Sequence, residues 1–175
     1  GDHPHHGGRD KALYALDAAE ARYWSAVLGG TRPGALGENL SIEPGPAGGI
    51  DDVELGAVLS IGDPRGEGLR VRVTGVRNPC ATFARGVGRG DWVEVFSSRN
   101  RVGVYLAVLT QGTVRAGDEV RVLNSPGHRV TCTRWFAHHD PRDAQALLNS
   151  EIFGNCRLAA FTKKYVQAAA GEPIG

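Results

Sequence analysis

Leu69, Val71 and Val73 alternate with Arg70, Arg72 and Thr74, the two-residue period by which a strand puts one face into a core and the other into water. The same pattern recurs through the middle of the chain. Val53 to Ile61 is apolar at every second position, Val102 to Leu109 is a short, nearly continuous apolar run, and Glu119 to Leu123 reads as a last strand. Leu40 and Ile42 alternate with polar neighbours further upstream. Gly62-Asp63-Pro64 and Thr113 to Asp118 punctuate these runs as turns. Short strands separated by glycine turns predict a barrel or a sandwich.

Helices frame the strand region. Lys11 to Leu16 is too brief to divide between strand and helix. After it, Asp17 can cap a helix, with Glu20 placed for a capping box and Tyr23, Trp24, Val27 and Leu28 on one face. Gly29-Gly30 stops it. Trp92, Val93 and Phe96 suit a helical face as well as a strand. Composition changes after Ser125-Pro126-Gly127. Asp140-Pro141 starts a helix with Ala144, Leu147 and Leu148 inward, and a further helix is predicted from Glu151 to Ala169, taking in Phe153, Cys156 and Tyr165. The expected organisation is a β-rich domain over residues 1–126 and a small helical appendage over 127–175.

Composition narrows the class. A chain of 175 residues with 41% hydrophobic content and a mean hydropathy of -0.24 reads as globular, and no apolar run reaches the ~20 residues of a membrane span. Net charge is +1, so no basic field points to nucleic acid. Cys80, Cys132 and Cys156 form no CxxC pair, which argues against a disulfide framework or a cysteine zinc knuckle and suits a reducing cytoplasm. Charge is unevenly spread. Glu38 to Asp63 holds six acidic and no basic residues, whereas Arg70 to Arg101 holds seven arginines against Asp91 and Glu94. The basic stretch surrounds Cys80.

Cys80 is the sharpest chemical candidate, because it follows Pro79 in a polar turn with Arg77 three positions back. Pro79 favours an extended turn that presents the side chain, and a neighbouring cation favours the thiolate, the nucleophilic and metal-ligating form. The alternative is a half-buried loop cysteine with no chemistry. Cys132 and Cys156 lie in apolar contexts and read as packing. His3, His5 and His6 offer imidazoles at a chain end without a matching ligand spacing, and His138-His139 reads as a solvated helix start. Gly86 to Gly90 could present amides to an anion or form a plain turn. Glu38-Asn39 pairs a carboxylate with an amide at a strand start, where a capped turn would look the same. Neither a Ser-His-Asp arrangement nor HExxH is present.

Taken together, these segments resemble a known family. His6-Gly7-Gly8-Arg9-Asp10-Lys11-Ala12-Leu13-Tyr14 is similar to the HGGxDKAxY signature of MOSC domains, the C-terminal domains of molybdenum cofactor sulfurases. Pro33 to Leu40 resembles the PGxxGENL segment, Arg77 to Cys80 the RxPC site, and Arg101 to Leu106 and Gly117 to Val120 two later blocks. The order of these blocks points to the stand-alone YiiM-like branch, whose members carry a small C-terminal helical domain. Members also place strands ahead of the HGG block, so one wall of the pocket is expected to be built differently over residues 1–126 or to lack those N-terminal strands.

The resemblance implies a mainly β, distorted barrel with a pocket for a molybdenum–pterin cofactor, and Cys80 as molybdenum ligand or sulfur acceptor. It implies that Arg77, Arg101 and Lys11 neutralise the anionic cofactor, that His6 hydrogen-bonds near it, and that Glu38 and Asn39 read the pterin edge. The activity implied is an oxidoreductase reducing a small N-hydroxylated substrate, with electrons from a separate donor, since no flavin, haem or iron–sulfur motif is present. The family also implies an alternative, sulfur transfer linked to a pyridoxal-dependent cysteine desulfurase, with a persulfide on Cys80. A third possibility is a non-enzymatic ligand-binding module on the same fold.

Overall fold

The computed structural model of the protein describes residues 8–63 and 68–173. Six strands form one mixed sheet: β1 (Leu13–Asp17), β2 (Leu40–Ile42), β3 (Val58–Ile61), β4 (Leu69–Val76), β5 (Val104–Thr110) and β6 (Val120–Asn124). Their order is β2-β1-β5-β4-β3-β6, with β1 and β2 parallel and all other pairs antiparallel. The β4–β5 register shifts at Arg70/Val71 and again at Val73/Gly75, and β3–β6 shifts at Val58/Leu59. Each shift bends and over-twists its strand, so the sheet curls into a half-barrel with β2 and β6 as edges.

The alternation along β4 holds for Leu69, Val71 and Val73, all buried. Thr74 departs from it. It is buried because a C-terminal helix covers it, and its hydroxyl lies 2.5 Å from the Asp10 carbonyl and 2.9 Å from that of Tyr105. The predicted strand from Val53 begins only at Val58, because Ile50–Asp52 forms a 3-10 turn and Gly56 takes a φ of 86°.

Helix α1 (Ala18–Val27) starts where predicted, with the Asp17 side chain accepting from Ala19 N at 2.9 Å. Its capping box does not form, because buried Glu20 instead receives a bidentate Arg99 at 2.6 and 2.7 Å. Only Trp24 of the predicted face is fully inside, and Tyr23 and Val27 are exposed. The ambiguous Asp91–Phe96 stretch is helical: α3 (Trp92–Ser97) follows α2 (Ala81–Val87). Trp24, Phe83, Trp92 and Phe96 pack edge-on and tilted, with ring centroids 5.0–5.8 Å apart, and join α1, α2 and α3 into one aromatic cluster.

Beyond residue 127 lie α4 (Cys132–His138), α5 (Pro141–Ile152) and α6 (Ala160–Ala170). Asp140 caps α5 at Arg142 N, with Pro141 in the first turn, and Ala144, Leu147 and Leu148 face inward as expected. The single helix expected from Glu151 to Ala169 is interrupted. Gly154, at φ 74°, ends α5, and Cys156 sits in the connecting loop. His138 and His139 close α4 rather than open a helix, and His139 packs on Trp135 at 4.8 Å. These helices share the strands' core, with Val130, Cys132, Trp135, Leu147, Leu158 and Val166 in the same apolar cluster as Leu59 and Val71.

Candidate functional site

Where β4 ends, Arg77, Asn78 and Pro79 lead to Cys80, the N-cap of α2. Pro79 keeps the preceding residue out of the helical region, so α2 cannot begin earlier. Cys80 is accordingly extended, at φ -139° and ψ 169°, and its carbonyl accepts from Ala84 N at 3.0 Å. The thiol is free and half-buried. Phe83, one turn on, locks α2 into the aromatic cluster, so the position of Cys80 is set by the core. The other two cysteines differ: burial pushes both Cys132 and Cys156 thiols up, Cys132 being fully enclosed near Asp51 and Asp52.

Arg77 lies between two rings, its guanidinium carbon 4.4 Å from the Tyr14 centroid and 3.8 Å from that of Phe83. Its Nη1 donates to the Leu36 carbonyl at 2.5 Å and its backbone N–H to Gly103 O at 3.0 Å. Tyr14 is buried and donates its hydroxyl to Val102 O at 2.7 Å. Burial holds its phenol well above the usual tyrosine range.

Tyr105, half-buried, stands 5.8 Å from Tyr14 and 6.0 Å from Phe161 of α6. Its phenol is raised by burial, lowered by Arg77 and raised again by nearby Cys80, so it senses both residues. The Lys11 ammonium lies 5.2 Å from the Tyr105 centroid and 4.3 Å from that of Phe161, and burial lowers its pKa.

The segment from Gly34 to Asn39 closes on Arg77. Glu38 accepts from Gly34 N at 2.7 Å and from Leu36 N at 3.1 Å, which braces the turn. Asn39 extends the β1–β2 pairing, since its Oδ1 accepts from Tyr14 N while its own N–H donates to Tyr14 O, both at 2.8 Å. Gly37 lies against the guanidinium, and a Cβ there would sit 3.7 Å from Nη2 of Arg77.

Arg101 is placed elsewhere. It makes bidentate contacts with Asp52 at 3.0 Å and approaches Asp17 at 3.9 Å, beside buried Asp51. The peptide of Gly103 connects this cluster to Arg77: its N–H donates to Asp51 Oδ1 at 2.9 Å and its carbonyl accepts from Arg77 N. His6, with His3 and His5, lies outside the described residues. The amides proposed as an anion nest cap α2 instead, Gly88 N and Arg89 N both donating to Ala84 O. Among the described residues, no group of three His, Cys, Asp or Glu side chains gathers around a metal-sized space.

A hollow of about 1310 Å³ lies away from Cys80, between β2 and the β3–β6 end of the sheet. Among the described residues its wall carries Glu43, Asp52, Glu54, Asp118 and Glu119 against Arg115 and Arg129, with no cysteine or lysine. An acidic wall disfavours an anionic ligand. Sequence spacing missed Tyr105 and Phe161. Tyr105 stands in a quoted motif, whereas nothing in sequence pairs Phe161 with Lys11.

Comparison with known proteins agrees with this fold. A family model described as MOSC domain matches residues 2–121. The uncharacterized protein YflK of Bacillus subtilis is 28% identical over 168 residues, covering 91% of this chain and 71% of that one. The crystal structure of YiiM from Geobacillus stearothermophilus superposes with a TM-score of 0.70 at 24% identity, covering 93% of this chain and 80% of that one. That of YiiM from Escherichia coli gives 0.66 at 21% identity, covering 96% and 82%. No helix among the described residues is long and apolar enough to cross a membrane. The curled β sheet, the ordered motifs and the domain match lead to one conclusion: the chain belongs to the MOSC domain family, a family associated with binding of the molybdenum cofactor.

Proposed function

We propose that the protein binds the molybdenum cofactor with Cys80 as metal ligand and reduces small N-hydroxylated compounds. The observation that carries this reading is the free thiol of Cys80 at the head of α2, three residues from a guanidinium clamped between Tyr14 and Phe83. The donor set fits the group. A thiolate is a good ligand for a soft or covalent metal centre, and Arg77 and Lys11 are cations on rigid supports suited to an anionic pterin phosphate. When bound, the cofactor would supply a metal able to take an oxygen atom from substrate and to be re-reduced by a separate donor.

The chain's own residues divide the remaining work. Arg77 is preorganised by two rings and one carbonyl, so it keeps its position without a bound anion. Asn39 has its oxygen committed to Tyr14, which leaves its amide N–H2 to offer a pterin carbonyl. Burial keeps the Tyr105 phenol protonated near Arg77 and Cys80, able to donate to an oxygen held beside Cys80. Glu38 and Arg101 hold the scaffold, Glu38 through the turn at Gly34 and Arg101 through Asp52, so neither is assigned to the cofactor.

The test is reduction of a hydroxylamine or N-hydroxyamidine with a chemical electron donor, using protein from a cofactor-producing host and its Cys80→Ser variant. Two electrons and two protons convert N–OH to N–H and water. Turnover abolished by Cys80→Ser supports the reading. No turnover, with Cys80 gaining one sulfur atom of mass after exposure to a cysteine desulfurase, would replace it with sulfur transfer.

A further inference from the structure

The chain entering β5 is pinned to the 3-10 turn Ile50–Asp52 at two points. Arg101 clasps the Asp52 carboxylate, and two residues on the Asp51 side chain accepts the Gly103 N–H at 2.9 Å. Asp51 is fully buried and its other oxygen meets no donor among the described residues, so the Gly103 amide is what its side chain binds. A carboxyl is costly to bury and a buried amide is costly to leave unpaired, so each accounts for the other. The peptide between them has a second partner. Its N–H, from Gly103, goes to Asp51, and its carbonyl, from Val102, accepts the Tyr14 hydroxyl at 2.7 Å. A planar peptide carries a constraint from one side to the other. Gly103 permits this close approach: its φ is 77°, and a Cβ there would stand 2.6 Å from the Tyr14 ring. The next carbonyl, Gly103 O, accepts the Arg77 N–H at 3.0 Å.

We infer that Asp51 is a positioning residue of the Cys80 site: through the Val102–Gly103 peptide it holds both the main chain of Arg77 and the Tyr14 ring against which the Arg77 guanidinium lies. The inference rests on the assignment of the Cys80 site above and adds to it a residue that touches neither the thiol nor the guanidinium. One side-chain oxygen thus secures Arg77 twice, at its backbone through Gly103 O and at its side chain through the Tyr14 hydroxyl. Asp51, Val102 and Tyr14 are all buried, so the bonds between them are not exchanged for water and reinforce one another. Removing the acceptor leaves the Gly103 N–H unpaired, and the strand entrance must turn to find a new partner. Tyr14 and Arg77 then shift with it, and a displacement of the guanidinium changes the positive field at Cys80. The role needs an acceptor at Asp51 Oδ1 and not a charge there.

The test compares two uncharged replacements close to aspartate in shape. Asp51→Asn keeps the acceptor and Asp51→Leu removes it. Cys80 in the apo protein is alkylated by iodoacetate, which is anionic, and by iodoacetamide, which is neutral, and the labelled Cys80 peptide is quantified by mass spectrometry. The ratio of the two rates, at one fixed pH and low ionic strength, reads the positive field at the thiol. Asp51→Leu is expected to lie roughly two- to five-fold below Asp51→Asn, the scale of one charge displaced near a partly solvated site. Arg77→Gln should lower the ratio at least as far, and in that background the Leu and Asn variants should give the same ratio. Equal ratios for Asn and Leu with Arg77 present overturn the inference, as does a difference that persists without Arg77, or a ratio that Arg77→Gln does not move. Should Asp51→Leu fail to fold, Tyr14→Phe opens the other end of the same peptide and keeps the ring. It is expected to lower the ratio, and an unchanged ratio there also overturns the inference. The readout uses protein without metal, so failure of the inference is distinguishable from failure of the proposed function, which metal content and turnover decide.

Discussion

Asp51 offers a prediction that can be worked through from the structure. Its side chain is fully buried, one oxygen accepts from Gly103 N at 2.9 Å, and the other has no partner. Burial raises its carboxyl from 3.8 to about 7, against the Gly103 N–H and Arg101, which lower it, and with Asp17 and Asp52, which raise it further. Between those two values the folded protein holds a proton that the unfolded chain releases. Stability from this group is therefore complete below the unfolded value, falls as pH rises from about 4 to about 7, and stays at its minimum above that. The full span is about 4 kcal/mol, an upper bound because local relaxation relieves part of the charge burial. Asp51→Asn keeps the shape and the acceptor for Gly103 but cannot ionise. Its unpartnered N–H2 adds a pH-independent offset, so the readout is the slope of the difference between the proteins. Urea unfolding followed by tryptophan emission suits the measurement, since Trp24, Trp92 and Trp135 are all buried. The variant should gain on the wild type by about 1.4 kcal/mol per pH unit between pH ~4 and ~7. A difference that does not change with pH would refute the reasoning.

Other perturbations follow from the same contacts. Gly75→Ala forces a methyl into the Phe161 ring and should destabilise by about 1–3 kcal/mol, with α6 becoming the first site of limited proteolysis. Arg77→Lys keeps the charge but loses the two-ring stack and the Leu36 bond, so it should lower stability by about 1–2 kcal/mol in denaturant titration and reduce cofactor retention. Native-state alkylation should label Cys80 first and Cys132 only after unfolding, as read by peptide mass spectrometry.

Much of the fold is written locally, because strand alternation and glycine turns are short-range signals. Asp140-Pro141 and Asp17 begin helices from the sequence alone, since a cap is decided within three residues. What escapes local reading is decided across the chain. Glu20 abandons a capping box for Arg99, and Thr74 is buried by a helix nearly ninety residues later. The site divides in the same way. Cys80 and Arg77 lie three residues apart, so their association is legible. Arg101 falls in an equally suggestive motif, but Asp52 and Asp17 claim it, and no spacing rule foresees an ion pair between distant segments. The rings that fix Arg77 and Lys11 come from β1, β5, α2 and α6, four elements that only the folded sheet brings together.

The most direct test of the central claim is the molybdenum and pterin content of protein purified from a cofactor-producing host, compared with its Cys80→Ser variant. Near-stoichiometric metal and pterin in the native protein, with metal lost on replacing the sulfur, is the predicted result. Equal metal in both proteins, or none in either, would contradict a molybdenum site built on Cys80.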